Sequence, residues 1–247
     1  MRKGNTYLWL IAVGAVVLGL GIGASFLLRS YAPEEYALES LTSSETVVFS
    51  QKRDLLVFSP AIKTSVGLIF YPGGLVDYRA YAPLLKELAE NGIESFLVKM
   101  PLDLAVISPN RAMDIIKDNP EIKTWIMAGH SLGGSMAARF ASKNSGTIGG
   151  LILLASYPAR GDSLVNSKIR VLSIYGTEDS VLNSDAFNDT KVLLPPDTLL
   201  LELEGGNHAQ FGWYGPQKGD GIATMSREKQ QELTLNAILS LIQNLQE

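Results

Sequence analysis

The sequence lacks cysteine altogether and has only two histidines, His130 and His208, in 247 residues. The absence of cysteine excludes disulfides, thiolate metal sites and a cysteine nucleophile. Two histidines and scattered carboxylates offer no transition-metal cluster, so we expect no metal and no cofactor. Basic residues are also few, with 21 Lys and Arg against 25 Asp and Glu and a net charge of −4. Nucleic acid is therefore not an expected partner.

Residues 7–28 contain no charged side chain. As a helix, this run would rise about 33 Å, which matches a hydrocarbon core of about 30 Å. The alternative is a cleaved signal peptide, although the apolar region of such a peptide is only about 7–15 residues long. We expect residues 1–29 to be an N-terminal transmembrane anchor, residues 30–40 a linker, and residues 41–247 the folded domain. Arg2 and Lys3 precede the run, so the folded domain of this single-pass protein is expected outside the cytoplasm.

The rest of the chain alternates short apolar runs with amphipathic stretches. The runs predict strands at 46–50, 55–59, 66–72, 93–100, 124–129, 150–158, 169–176 and 198–205. The amphipathic stretches predict helices at 81–92, 110–120, 132–144 and within 227–245. Near-continuous apolar strands between helices indicate an α/β fold, with a mostly parallel sheet covered by helices on both faces. Ligands of such sheets bind at the carboxyl ends of the strands.

The segment GHSLGG, residues 129–134, falls between a predicted strand and a predicted helix. Glycines two positions before and after Ser131 allow the tight turn of a G-x-S-x-G nucleophile elbow. The helix N-terminus that follows also favours negative charge. The pattern predicts that Ser131 is a nucleophile; the alternative is a serine that caps the helix beside a packing glycine.

A serine nucleophile needs a base. His130 adjoins Ser131 on the sharp turn, so its side chain is expected to project elsewhere. His208 follows the last predicted strand and is therefore the candidate base, although a histidine in a loop can also be a simple surface residue. The polar segment GPQKGDG, residues 215–221, predicts a solvated turn.

The base needs a carboxylate to orient it. Asp179 follows the strand predicted at 169–176, and the order Ser131, Asp179, His208 is that of the α/β-hydrolase triad. Glu178 is the competitor, one residue closer to the strand, and Asp162 is a third candidate after a different strand.

Stabilisation of an oxyanion requires two backbone donors. The first is expected from Leu132, directly after the nucleophile. The second is expected from the loop in FYPGGLVD, residues 70–77, with Gly74 as the first choice and Leu75 as the next.

Five segments carry a family resemblance: FYPGG-VD-RAYAPLL, MPL-LAV-SPNRA, GHSLGG, SIYGTED and EGGNHAQFG-YGPQ-GDG. They resemble single-domain bacterial α/β hydrolases of the dienelactone-hydrolase-like (carboxymethylenebutenolidase-type) branch, from residue 36 to the C-terminus. The resemblance implies the α/β-hydrolase fold and the triad Ser131, Asp179 and His208. True dienelactone hydrolases use a cysteine nucleophile, which this chain lacks, so a general ester is the expected substrate.

About ten residues join the strand predicted at 150–158 to the next one, too few for a lid domain. An open site is therefore expected, with substrate-binding walls from Leu75, Met100, Tyr157, Phe211 and Trp213. The expected function is hydrolysis of a small carboxylic ester through an acyl-enzyme. The alternatives are a thioesterase or acyltransferase with the same triad, or a non-catalytic, membrane-tethered binding protein on the same fold.

Overall fold

The computed structural model describes residues 29–62 and 65–245. The chain divides into two units, residues 1–30 and residues 31–247, and every element named below belongs to the second. The anchor expected at residues 7–28 lies outside the described residues. Within the described residues, no helix combines the length and the apolar character needed to cross a membrane.

The described residues contain one sheet of eight strands in the order β1-β2-β4-β3-β5-β6-β7-β8. The strands are β1 Val47–Lys52, β2 Leu55–Pro60, β3 Val66–Tyr71, β4 Glu94–Val98, β5 Thr124–His130, β6 Ile148–Leu154, β7 Arg170–Gly176 and β8 Leu199–Leu203. The β1–β2 and β2–β4 pairs are antiparallel, and the remaining pairs are parallel. The mostly parallel sheet predicted from the apolar runs is confirmed.

Six α-helices accompany the sheet in the described part of the chain: α1 Glu35–Glu39, α2 Ala82–Glu90, α3 Ala112–Asp118, α4 Leu132–Lys143, α5 Ser184–Thr190 and α6 Arg227–Gln243. The helices cover both faces of the sheet. Successive side chains of a strand point to opposite faces, so apolar residues on both faces need helices to pack against. Leu68 and Phe70 of β3 pack in the core cluster that includes α2 and α6. Ile69 and Tyr71 pack in the cluster that includes α4. Apolar residues on both faces explain why β3 is buried along its whole length.

The carboxyl end of β6 differs clearly from the sequence prediction. Strand β6 ends at Leu154, so Tyr157 and Pro158 lie in the loop that follows it rather than in the strand. The reason is local: Ala155 adopts a φ of 45°, which ends the extended backbone. Residues 155–169 contain no helix or strand, so the connection between β6 and β7 carries no helical lid.

The segment expected as a linker is packed against the domain. Tyr31 pairs with Val76 in an isolated parallel bridge, and its N–H donates to the Leu75 carbonyl over 2.8 Å. Ala37 of α1 is fully buried. Residues 31–40 therefore form part of the fold, since their backbone donors and one apolar side chain find partners there.

Candidate active site

Ser131 lies at the turn between β5 and α4, with φ 51° and ψ −123°. A Cβ on Gly133 would clash with the backbone oxygens of Tyr71 and Pro72, and one on Gly129 would lie 2.6 Å from the Gly133 carbonyl carbon. Only glycine fits at these two positions. A non-glycine residue held at positive φ costs about 1–3 kcal/mol, and such strain concentrates at functional sites.

His208 and Asp179 form a buried hydrogen-bonded pair. The distance from His208 Nδ1 to Asp179 Oδ2 is 2.8 Å, and both side chains are only 1% exposed. The other carboxylate oxygen, Oδ1, accepts the N–H groups of Val181 and Leu182 at 2.9 and 2.8 Å. Because a carboxylate only accepts hydrogen bonds, Nδ1 carries the proton in this pair. The neutral imidazole then has an unprotonated Nε2, which has no hydrogen-bond partner among the described residues.

Ser131 and His208 line the same cavity, which has a volume of about 250 Å³. Leu132, Ser135, Ala155 and Tyr157 are further lining residues. Asp179 lies behind His208 and does not line the cavity. A larger depression of about 370 Å³ lies at the amino end of β7. Its lining holds the Arg170–Asp197 ion pair but neither of the two histidines, so the chemistry points to the smaller cavity.

Gly74 and Leu132, the two residues expected to supply oxyanion donors, are in contact. A Cβ on Gly74 would be 3.1 Å from Leu132 Cδ2. The Leu75 N–H donates to the Asp103 carbonyl at 2.9 Å, so the alternative donor is already engaged. The Gly74 N–H has no acceptor among the described residues. The Leu132 N–H begins a helix and therefore has no acceptor within it.

His130 projects behind the serine turn, as expected. It is completely buried, and its ring centroid lies 4.4 Å from that of His208. Its Nδ1 contacts the Tyr81 hydroxyl at 2.8 Å. Burial, and then the positive charge that His208 can carry, hold the pKa of His130 well below its ordinary value; the nearby His208 backbone opposes this shift. His130 therefore stays neutral beside the candidate base.

Asp220 was not expected to be a functional residue, and it lies in the segment expected as a solvated turn. Its carboxylate accepts the N–H groups of His208, Ala209 and Gly221 at 3.3, 2.8 and 2.9 Å. On the other side, Gln230 of α6 exchanges two hydrogen bonds with the Asn207 backbone, at 3.0 and 2.8 Å. These contacts hold the His208 loop in place. The glycines on either side of Asp220 were the only sign of this role in the sequence. They do not distinguish a carboxylate that supports a loop from one in an ordinary turn.

Three of the five expected substrate-binding residues belong to the packing instead. Met100 and Phe211 are each 1% exposed and lie in the core clusters. The Trp213 ring packs against Tyr36 at a tilt of 45°, with ring centroids 4.2 Å apart, and the Arg227 guanidinium lies 5.0 Å from the Trp213 ring. Trp213 is half-buried in these contacts and does not line the cavity.

The structure also distinguishes among the remaining candidates for substrate binding and for the carboxylate that orients His208. Tyr157 lines the cavity, but Leu75 does not. The half-buried Leu75 side chain lies on the loop that follows β3, residues 72–77, which we call the oxyanion loop. Asp179 contacts His208, while its competitor Glu178 is half-exposed and forms no hydrogen bond with that histidine. Asp162 is buried elsewhere and does not line the cavity.

The alpha/beta hydrolase family model matches residues 67–232, more than half of the chain. The chain therefore belongs to the alpha/beta hydrolase family, and it is an enzyme of the hydrolase class. No curated protein matches its sequence.

Solved structures share the fold at low sequence identity. Carboxylesterase CesB from Bacillus subtilis superposes with a TM-score of 0.59 at 11% identity, covering 84% of this chain and 95% of its own. Est1E from Butyrivibrio proteoclasticus gives 0.58 at 14%, covering 80% and 99%. Mouse alpha/beta hydrolase domain-containing protein 10 gives 0.55 at 17%, covering 82% and 100%. At these identities the likeness concerns the fold.

Proposed function

We propose that this chain is a serine hydrolase that cleaves a small carboxylic ester through an acyl-enzyme on Ser131. The main observation behind this proposal is the Asp179–His208 hydrogen bond. It occupies Nδ1, and Nε2 has no partner within residues 29–62 and 65–245, while His208 and Ser131 line the same cavity. Support for an ester substrate comes from structural neighbours that are themselves named esterases.

The reaction follows from these positions. Ser131 Oγ forms a bond to the acyl carbon and passes its proton to His208 Nε2. The ester C–O bond breaks, and the same proton moves to the departing alcohol. Water then attacks the acyl carbon while His208 takes one of its protons. The bond from the acyl carbon to Ser131 Oγ breaks, His208 returns the proton to Oγ, and the carboxylic acid leaves. The N–H groups of Gly74 and Leu132 stabilise each oxyanion; one such donor contributes about 2.7–4 kcal/mol to a transition state.

Covalent labelling tests this proposal. The wild type should react with a fluorophosphonate probe, and Ser131→Ala should not. Ser135→Ala is the matched control, because Ser135 lines the same cavity without lying at the elbow. Failure of a folded wild type to react would favour the non-catalytic binding protein instead.

Substrate class requires a separate measurement. Nitrophenyl esters of graded acyl length, assayed beside the matching thioesters, separate an esterase from a thioesterase. Added alcohol acceptors reveal acyl transfer. The dienelactone-hydrolase-like assignment remains a prediction, and the serine at position 131 favours general esters.

The membrane anchor is also part of this proposal. Residues 7–28 carry no charge, and they would place the hydrolase domain on the extracytoplasmic side. The full-length protein should then stay in the membrane fraction after a carbonate wash. Release of a shortened form would indicate a cleaved signal peptide.

A further inference from the structure

After β4, three exposed apolar side chains lie within a span of six residues, 102–107. Leu102, Val106 and Ile107 are 66%, 51% and 50% exposed. They lie on two short 3-10 turns, Pro101–Asp103 and Ala105–Ile107, and we call the three side chains the apolar rim. Leu102 and Asp103 both adopt a φ of 53°, an unfavourable backbone conformation for these residues. The first turn therefore holds Leu102 in an uncommon backbone conformation with its side chain in contact with solvent, and Val106 and Ile107 on the second turn extend this apolar surface.

The apolar rim borders the oxyanion loop. The Asp103 carbonyl accepts the Leu75 N–H at 2.9 Å. Leu104, between the two turns, has its Cδ2 3.8 Å from the position of a Cβ on Gly74. The same segment therefore carries the apolar rim and supports the loop that holds a proposed oxyanion donor.

Tyr31, the first residue of the domain, forms hydrogen bonds with this same loop. The Tyr31 N–H donates to the Leu75 carbonyl at 2.8 Å, and the Tyr31 carbonyl accepts the Asp77 N–H at 3.0 Å. Only Arg29 and Ser30 separate Tyr31 from the apolar run at residues 7–28. The three residue steps from position 28 to position 31 span at most about 11 Å. A connection of only two residues therefore joins the charge-free run to the residue that pairs with the oxyanion loop.

We propose that the apolar rim docks into a lipid surface beside the active site, and that the substrate is the ester of a membrane-borne amphiphile. The substrate part of this inference rests on the proposed function. The occupant is a lipid surface, because the apolar rim and the attachment point of the charge-free run flank one loop. Burial of Leu102, Val106 and Ile107 in the interface then favours the orientation in which the cavity receives esters from the membrane.

Docking can be tested without any catalytic activity. Because the chain has no cysteine, Leu102→Cys can be labelled uniquely with an NBD fluorophore in the full-length protein. Val192→Cys is the matched control, since Val192 is 73% exposed on the 3-10 helix after α5. In phosphatidylcholine–phosphatidylglycerol vesicles that contain nitroxide-labelled lipid, we expect at least about threefold stronger quenching at position 102. Equal quenching at the two positions, or protection of position 102 by self-association without lipid, overturns the proposal.

The substrate class is tested by a ratio of activities. The quantity is kcat/KM for a long-chain ester held in vesicles divided by kcat/KM for soluble nitrophenyl acetate. Combined Leu102→Ser, Val106→Ser and Ile107→Ser should lower this ratio about tenfold. The control combines Ile62→Ser, Val192→Ser and Leu199→Ser, three exposed apolar positions outside the apolar rim, and should leave the ratio unchanged. An unchanged ratio in the apolar-rim variant overturns the substrate class. A wild type inactive on all esters contradicts the proposed function, while the quenching result still decides the docking.

Discussion

Tyr81 and His130 share a buried hydrogen bond, 2.8 Å between the phenol oxygen and the imidazole Nδ1. The same phenol oxygen accepts the Gly73 N–H at 3.1 Å. Because His130 is held neutral, the phenol can donate its single proton to Nδ1 while accepting from Gly73. The pair therefore connects the end of β5, where Ser131 follows, to the loop that carries Gly74.

We expect Tyr81→Phe to lower kcat about 10–100-fold with little change in KM. The ring still fills its site, but the Gly73 peptide loses the partner that orients the next N–H toward the oxyanion. Steady-state kinetics on a nitrophenyl ester measure the effect. A transition-state analogue should also bind more weakly by the same factor.

The control for this variant is Tyr71→Phe. The Tyr71 hydroxyl also makes two hydrogen bonds, donating to the Pro109 carbonyl and accepting the Ala112 N–H, but it lies on the opposite side of the sheet from Tyr81. Both variants should lose about 1–3 kcal/mol of unfolding free energy, because each leaves buried groups unpaired. An equal fall of kcat in both would mean that Tyr81 acts only through stability.

The pH dependence of stability should depend on His130. Its pKa in the folded state lies well below the ordinary value of 6.5, so below pH 6.5 the unfolded chain binds a proton that the folded chain does not. The stability contributed by neutral His130 is thus complete above pH 6.5 and is lost as the pH falls. The wild type should lose up to about 1.4 kcal/mol per pH unit more than His130→Gln below that value. Urea unfolding between pH 8 and 5 measures the difference, and parallel profiles would contradict it.

Asp220→Asn should reduce kcat about 10–100-fold, with a smaller effect on KM. The substitution replaces one of the oxygens that accept the His208 and Ala209 N–H groups, so the base is displaced slightly from its position. Fluorophosphonate labelling should slow by a similar factor. Asp197→Asn is the control, since that carboxylate is exposed and pairs with Arg170 away from the cavity; its kcat should match the wild type.

Gly133→Ala should destabilise the protein by about 3 kcal/mol or more, because the new methyl group would overlap the backbone oxygens of Tyr71 and Pro72. Backbone atoms of a central strand cannot easily give way. Gly146→Ala is the matched control, as nothing lies within 4 Å of its Cβ position, and it should change stability by less than about 0.5 kcal/mol. Thermal or urea unfolding distinguishes the two. Similar stabilities would show that the turn can relax.

Much of this fold can be predicted from the amino-acid sequence. Strand β3 could be predicted because both of its faces are buried, which requires a continuous run of apolar residues. The G-x-S-x-G turn could be recognised because only glycine tolerates the close approach at Gly129 and Gly133. Phe211 and Trp213 were expected to bind substrate, but neither lines the cavity. The sequence could not show this, because apolar character does not reveal whether a loop residue faces a cavity or the core.

The alternation of strands and helices, the serine turn and a short set of candidate partners follow from local periodicity and local sterics, so they can be inferred from the amino-acid sequence. Which of these candidates meet depends on the tertiary fold. The fold brings Asp179 rather than Glu178 to His208 and pairs the Leu75 N–H with Asp103, whereas the Gly74 N–H has no acceptor in the described part of the chain. It also makes Asp220 a support of the His208 loop. Hydrogen bonds act over about 3 Å, and only the packing of segments far apart in the chain sets those distances.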